Sequence, residues 1–419
     1  MKKTYVVVGL IGAFLASSGW VASAADETNL SKVISAPAPA KIAPKTLEFL
    51  EGTEISGYVQ TSYQKSWGAS GTAGDPGSTP ARVFNTNRNG FDVDQAKITL
   101  EKPVGDGDTG AGYRVDVMAG KTANALAGGT GNGNSFFLEQ AYVEFRVPVG
   151  SGVDVKAGRF STLLGNEVID APGNWNYSRS YIFNSEPLTQ TGVLLSYKWN
   201  DIVDTQFGVV NGFSDTAGGV SGTGVADNNS AKSITGRVGV TLLGGQLVLS
   251  TIGVAGAEHT GNNSGTKWEA NEVITYNPKW NEKWTFALEG IYGRDSRMDT
   301  ASIGVPAPEA QWWGVAGYTK YQWLPHFSTA LRAESFSFNG SAENEFWGAT
   351  SGVNFLPNGS KGHVEDLTLS CSFDNIWKNL TPRVEARYDR SSPSTFGAGG
   401  VDGFHSGIFT VSLDVIYAF

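Results

Sequence analysis

The sequence predicts an all-β chain: a transmembrane antiparallel β-barrel of about 16 strands, with short periplasmic turns at one end and long extracellular loops at the other. Three observations carry this. From Glu54 onward apolar and polar residues alternate with a period of two, which gives each segment one apolar and one ionic side. The spacers between segments alternate short, long, short, long. Composition agrees, since 54 Gly, 22 Phe, 14 Tyr and 12 Trp with only 17% charged residues suit many pleated strands joined by glycine turns.

The alternation is plainest in four places. In Gly407 to Phe419 one face carries Phe409, Val411, Leu413, Val415, Tyr417 and Phe419, and the other Thr410, Ser412 and Asp414, with Ile416 as the exception. In Pro382 to Asp389, Val384, Ala386 and Tyr388 alternate with Arg383, Glu385, Arg387 and Asp389. Tyr113, Val115 and Val117 alternate with Arg114 and Asp116, and Ala141, Val143, Phe145 and Val147 with Gln140, Tyr142, Glu144 and Arg146. Strands are expected near 54–65, 90–102, 110–119, 135–147, 152–160, 189–199, 203–210, 232–243, 246–256, 267–277, 283–293, 311–322, 326–337, 364–376, 381–390 and 406–419.

Short spacers such as Pro148 to Ser151 and Gly244-Gly245 alternate with long ones such as Ser66 to Asn89, Ser161 to Leu188, Gly212 to Ala231 and Asn339 to His363. That asymmetry belongs to outer-membrane barrels, and closure leaves no unpaired edge in lipid. Val238 to Ala257 has no charge and is long enough for a membrane helix. Its five glycines, with Gly244-Gly245 between two β-branched runs, favour a hairpin. Around Asn271 and Glu272 an acidic residue interrupts either choice of apolar face, and the register is undetermined.

Lys2 and Lys3, the apolar run Tyr5 to Leu15 and Ala22-Ser23-Ala24 read as a signal peptide over 1–24. Residues 25–53 read as a periplasmic leader with a polyproline-like Ala36-Pro37-Ala38-Pro39-Ala40 spacer and a helical turn at Leu47 to Leu50. Residues 54–419 form the barrel. With Cys371 alone, no internal disulfide can form. An excess of 40 acidic over 31 basic residues argues against nucleic acid as a partner.

The ionic strand faces are the first candidate site. Arg114, Asp116, Glu144, Arg146, Asp154, Lys156, Arg237, Arg332, Glu334, Arg383, Glu385, Arg387 and Asp389 face the lumen if the apolar sides face lipid, where charge is costly. They either line a water-filled pore or pair across strands in a filled barrel. The second candidate is the third long loop, 161–188. Leu163, Leu164, Val168, Ile169, Trp175, Tyr177 and Tyr181 make it too apolar for a solvated loop. Folded into the lumen, it would form a constriction with Glu167, Asp170, Trp175, Tyr177, Arg179 and Glu186; folded outward, it would cap neighbouring loops. Trp199, Trp280, Trp284, Trp323 and Trp377 near short turns, with Trp67, Trp268 and Tyr292 near long loops, suit two interfacial girdles.

Signs of other chemistry are weak. His259, His326, His363 and His405 show no metal spacing. Gly128 to Gly133 is followed by no Lys-Ser/Thr. Asp106 and Asp108 lack the closing glutamate of a calcium loop and read as a turn. No cofactor is expected, and no enzyme activity.

Three stretches carry a family resemblance. They are Asn89-Gly-Phe-Asp-Val-Asp-Gln-Ala-Lys-Ile98, Phe137-Leu-Glu-Gln-Ala-Tyr-Val-Glu-Phe145, and Ala157-Gly-Arg-Phe160 through Tyr177-Ser-Arg-Ser180 to Thr191-Gly192. The chain resembles the OmpL-like outer-membrane β-barrel porins of Gram-negative bacteria over nearly its whole mature length. The resemblance implies passive diffusion of small hydrophilic solutes or ions, contact with outer-membrane lipid and lipopolysaccharide, a homotrimer, and recognition of the terminal Phe419 by the outer-membrane assembly machinery. The alternative functions are a structural or adhesive barrel, and an oligosaccharide or anion channel with inward Tyr58, Tyr142 and Trp312.

Overall fold

The computed structural model describes residues 52–68, 82–85, 87–105, 107, 109–127, 136–215, 229–258, 263, 265–296, 309–339, 361–374, 376–392 and 406–419. The expected signal peptide, the leader before Gly52 with its Leu47–Leu50 turn, Asp106, Asp108, Gly128 to Gly133, His259 and His405 lie outside the described residues.

Sixteen strands follow one another in order: β1 (Glu54–Trp67), β2 (Asn89–Lys102), β3 (Gly110–Ala119), β4 (Phe136–Val147), β5 (Val153–Ser161), β6 (Thr189–Lys198), β7 (Val203–Val210) and β8 (Ser233–Leu242). The second half comprises β9 (Leu247–Gly256), β10 (Lys267–Tyr276), β11 (Trp284–Asp295), β12 (Ala310–Leu324), β13 (Phe327–Asn339), β14 (Lys361–Ser372), β15 (Leu380–Ser392) and β16 (Gly407–Ala418). Each strand pairs with its sequence neighbours, and β1 pairs antiparallel with β16, so the sheet closes. The expected strand count and order are those of the structure, with ends displaced by a few residues.

The outward face follows from the period of two. Phe91, Val143, Phe207, Leu367, Leu369, Leu413 and their neighbours are exposed large apolar residues, while the alternate positions are buried or polar. Trp199, Trp280, Trp323 and Trp377 are exposed at the short-turn end, and Trp67 and Tyr292 at the long-loop end. The charge-free stretch from Val238 is the β8–β9 hairpin, turning at Leu243, Gly244 and Gly245 with φ of 54, 63 and 90°, a left-handed run that glycine permits. On β10 the register is now defined. Asn271 is buried on the inward face, and Glu272 points outward between Thr251 and Gly290.

Closure rests on the chain's end. Gly57 N–H donates to the Phe419 carbonyl at 3.0 Å and Phe419 N–H to the Gly57 carbonyl at 2.9 Å. A Cβ on Gly57 would lie 2.4 Å from the Lys97 carbonyl oxygen and 2.8 Å from the Phe419 ring, so the close approach requires glycine. Two short helices were not foreseen: α1 (Lys121–Leu126) in the second long spacer and α2 (Tyr181–Ser185) in the third. Strand periodicity carries no information about such local turns.

Candidate functional site

The inward charges divide between two walls. On β13–β16, Arg332, Glu334, Arg383, Glu385, Arg387 and Asp389 are all buried, joined by Asp366 of β14 and Asp414 of β16. Residues two apart on a strand share a face, and neighbouring strands bring further residues of that face into reach, so each arginine meets a carboxylate. Arg383 lies 2.7 Å from Asp414, Arg332 lies 3.1 Å from Asp366, and Arg387 lies 2.6 Å from Asp389. Arg82, from the first long loop, also bonds Asp389.

On β3–β8 the expected residues are half-buried, apart from the fully buried Asp116. Arg114 reaches Asp116 at 3.0 Å and Glu101 at 3.2 Å, and Arg146 reaches Asp154 at 2.7 Å. Arg237 pairs with Asp204. Glu144 stands opposite Lys156 in register, and the Lys156 ammonium sits 4.3 Å from the centre of the Tyr142 ring.

The 161–188 loop turns inward, and the reason is visible in its backbone. Wall carboxylates accept its amide hydrogens in succession. Glu385 accepts from Tyr177 N at 2.7 Å and Ser178 N at 3.1 Å; Glu334 accepts from Tyr181 N at 2.8 Å and Ile182 N at 2.6 Å. Within the loop, Glu167 accepts from Ser180 N at 2.7 Å, and the Ser180 hydroxyl caps α2 by accepting from Phe183 N at 3.0 Å. The arginines take the loop carbonyls: Arg332 donates to Ser178 O at 2.7 Å and Arg383 to Asn174 O at 2.8 Å. Buried amides and carbonyls need such partners, and an ionic wall supplies both kinds.

The loop's other flank meets β1, β2 and β4. Lys97 of β2 lies 2.7 Å from Asp170, 2.9 Å from Asp116 and 3.0 Å from Glu139. The Tyr58 hydroxyl lies 2.6 Å from Gln95 Oε1 and 2.8 Å from Asp170 Oδ1, two acceptors for its one hydrogen. Above this lies an apolar cluster holding Val83, Phe84, Leu126, Leu164, Ile169, Phe183 and Phe213, drawn from several loops. Phe84 and Phe183 rings are 5.6 Å apart.

Beneath the loop, toward the short-turn end, a cavity of about 480 Å³ is bounded by Tyr58, Lys97, Arg114, Glu139, Asp170 and Phe419. Asp170 is the expected loop residue that borders it with an appreciable exposed fraction, 30% of its side chain. Glu167, Asp170, Tyr177, Arg179 and Glu186 are brought together inside the barrel, and Trp175 packs partly buried against the cluster of Tyr181, Trp312 and Phe336. Burial, reinforced by Glu289 and Glu269, pushes the Glu186 carboxyl well above its ordinary range. Tyr58, Tyr142 and Trp312 face inward but belong to separate clusters and form no continuous aromatic track. The sequence reasoning missed Lys97, Glu139, Glu289, Asp366 and Asp414. The two-residue step Gln95, Lys97, Thr99, and likewise Asp366, Thr368, Ser370, could have found two of them.

Residues 52–419 match the family described as "Putative beta-barrel porin-2, OmpL-like". No curated protein matches the chain. Among solved structures it is similar to the outer membrane channel DcaP of Acinetobacter baumannii, with TM-score 0.56 and 14% identity over 88% of this chain and 97% of that one. It is similar also to OmpT, an outer membrane protein of Vibrio cholerae, with TM-score 0.52 and 9% identity over 88% and 97%. For OprB of Pseudomonas putida the TM-score is 0.51 and the identity 12%, over 90% and 96%. At these identities the likeness establishes the fold.

Proposed function

We propose a solute route through this chain, which belongs to the OmpL-like β-barrel porin family and forms a passive-diffusion channel of the Gram-negative outer membrane. Solutes pass through the cavity on the loop's β1–β4 flank, alongside the Lys97 and Tyr58 contacts that tie Asp170 to β2 and β1. The observation that carries this is the cavity of about 480 Å³ beneath the loop, lined by Lys97, Arg114, Glu139 and Asp170. Opposite it, the loop is hydrogen-bonded to the buried charges of β13–β16, which serve to hold the loop. The charged groups of β3–β8 line the periplasmic vestibule.

The narrow point prefers cations. Lys97 is surrounded by three carboxylates, Asp116, Glu139 and Asp170, so the local sum is negative where field lines are focused. The chain performs no catalysis. It works as a homotrimer in contact with lipopolysaccharide and lipid, and Phe419 is its signal to the assembly machinery. The loop and the apolar cluster packed on it narrow the route to small solutes, and the charged lining favours hydrophilic ones. The test is conductance and reversal potential of the purified protein in a planar bilayer under a salt gradient. Wild type conducts with a cation-selective potential, and Asp170→Asn moves that potential toward anions. A folded barrel that never conducts sinks the route, and an unchanged potential in Asp170→Asn removes that residue from it.

A further inference from the structure

Glu186 and Glu289 differ from the carboxylates around them. Asp366, Asp389, Asp414 and Glu167 each meet an arginine. Glu186, at the end of the loop, and Glu289, on the inward face of β11, form no ion pair among the described residues, although each is 1% exposed. Both accept from one nitrogen, Nδ2 of Asn271, at 3.0 Å each, which holds the two carboxyl groups side by side. Glu289 also accepts from Asn166 N at 3.0 Å and from the Tyr318 hydroxyl at 3.1 Å.

Among the described residues, none of the charged groups near the pair forms an ion pair with it. Glu167 of the loop and Glu269 of β10 add negative charge. Arg332 of β13 is engaged by Glu167 and Asp366. Lys267 of β10 lies over the Phe213 ring at 4.1 Å and the Trp312 ring at 5.6 Å, while Trp312 donates to Glu269 at 2.7 Å. Two ionised carboxylates held at one amide nitrogen, buried and without a cation, repel each other, and a proton shared between them removes one of the two charges.

We infer that Glu186 and Glu289 share one proton and form a latch that fastens the constriction loop to β10–β11 and opens when that proton is lost as pH rises. When the shared proton leaves, two buried negative charges face each other across one amide. The end of the loop that enters β6 is then pushed off the wall, while the arginine contacts on β13–β16 keep its middle in place. The latch deepens the route proposed above and rests on it only for the effect on conductance.

The experiment uses the full-length protein in planar bilayers from about pH 4 to about pH 10, upward from the ordinary carboxyl range, together with infrared spectra of the same protein. Wild type is expected to show a conductance step with one-proton steepness, a tenfold change in protonation ratio per pH unit, and a buried carboxylic-acid band that disappears over the same interval. Glu186→Gln keeps a donor to Glu289 without a titratable proton, and is expected to abolish both the step and the band. Glu289→Gln is expected to do the same and covers the case in which the first variant does not fold. Absence of the acid band from wild type, or persistence of the step in a folded Gln variant, overturns the latch. A wild-type band that titrates in a barrel that never conducts supports the latch while removing the solute route.

Discussion

Arg332 of β13 and Glu167 of the constriction loop, 165 residues apart in sequence, meet at 2.7 Å with the arginine fully buried. The same guanidinium reaches Asp366 at 3.1 Å and the Ser178 carbonyl at 2.7 Å. One side chain therefore joins the wall, the loop's acidic turn and its backbone. A buried arginine in water-filled lumen would gain little from such packing. Here the loop excludes water, and every donor edge must find protein.

Removing that cation leaves buried Glu167 without an arginine and buried Asp366 with Arg387 alone, at 3.5 Å. Arg332→Met is expected to destabilise the loop-bound state by about 3–5 kcal/mol, the usual cost of breaking a buried pair by removing one member. The temperature at which the folded barrel loses its resistance to SDS should fall, and single-channel conductance should rise as the loop loosens. An unchanged melting temperature with unchanged conductance would refute the role assigned to Arg332.

Glu272 offers the opposite case. It is half-buried on the outward face of β10, midway between Trp268 and Tyr276, and accepts from the Thr251 hydroxyl at 2.6 Å. A carboxyl group there faces the middle of the apolar band. Glu272→Leu should stabilise folding into lipid vesicles by about 1–2 kcal/mol, below the penalty for a basic residue at the same depth. Denaturant-dependent refolding into vesicles measures this. A loss of stability would mean that Glu272 meets another protein surface instead of lipid.

Gly57 can be tested against a matched control. Gly57→Val places a branched side chain on the Lys97 carbonyl and the Phe419 ring, and the yield of folded barrel should drop severalfold. A Cβ on Gly290 meets nothing within 4 Å, so Gly290→Ala should fold as wild type. Equal yields for the two variants would contradict the closure described at Phe419.

The raised Glu186 carboxyl has a consequence for stability with a definite sign. The folded protein retains a proton that the unfolded chain releases above its ordinary carboxyl range, about pH 4.3. Relative to a group with no shift, stability is therefore greatest below that range and declines as pH rises toward the folded value. Heat-unfolding temperatures measured across this interval should fall with pH in wild type and flatten in Glu186→Gln. An equal slope in both would assign the dependence to other groups.

The sequence by itself determined the barrel. Strand number, order, inward and outward faces and the turn asymmetry all follow from a period of two, because each strand's faces are set locally by the pleat and each partner is a sequence neighbour. It also determined that the 161–188 loop needs burial. Only the tertiary structure decided where that loop goes, and it divided the inward charges into a buried wall on β13–β16 and a half-exposed one on β3–β8. It also turned Asn271 in and Glu272 out, which alternation alone left undetermined. The physical reason is distance along the chain. Arg332 and Glu167, Glu385 and Tyr177, or Lys97 and Asp170 meet across the lumen, and no local periodicity encodes which side chains complement one another once the barrel has closed.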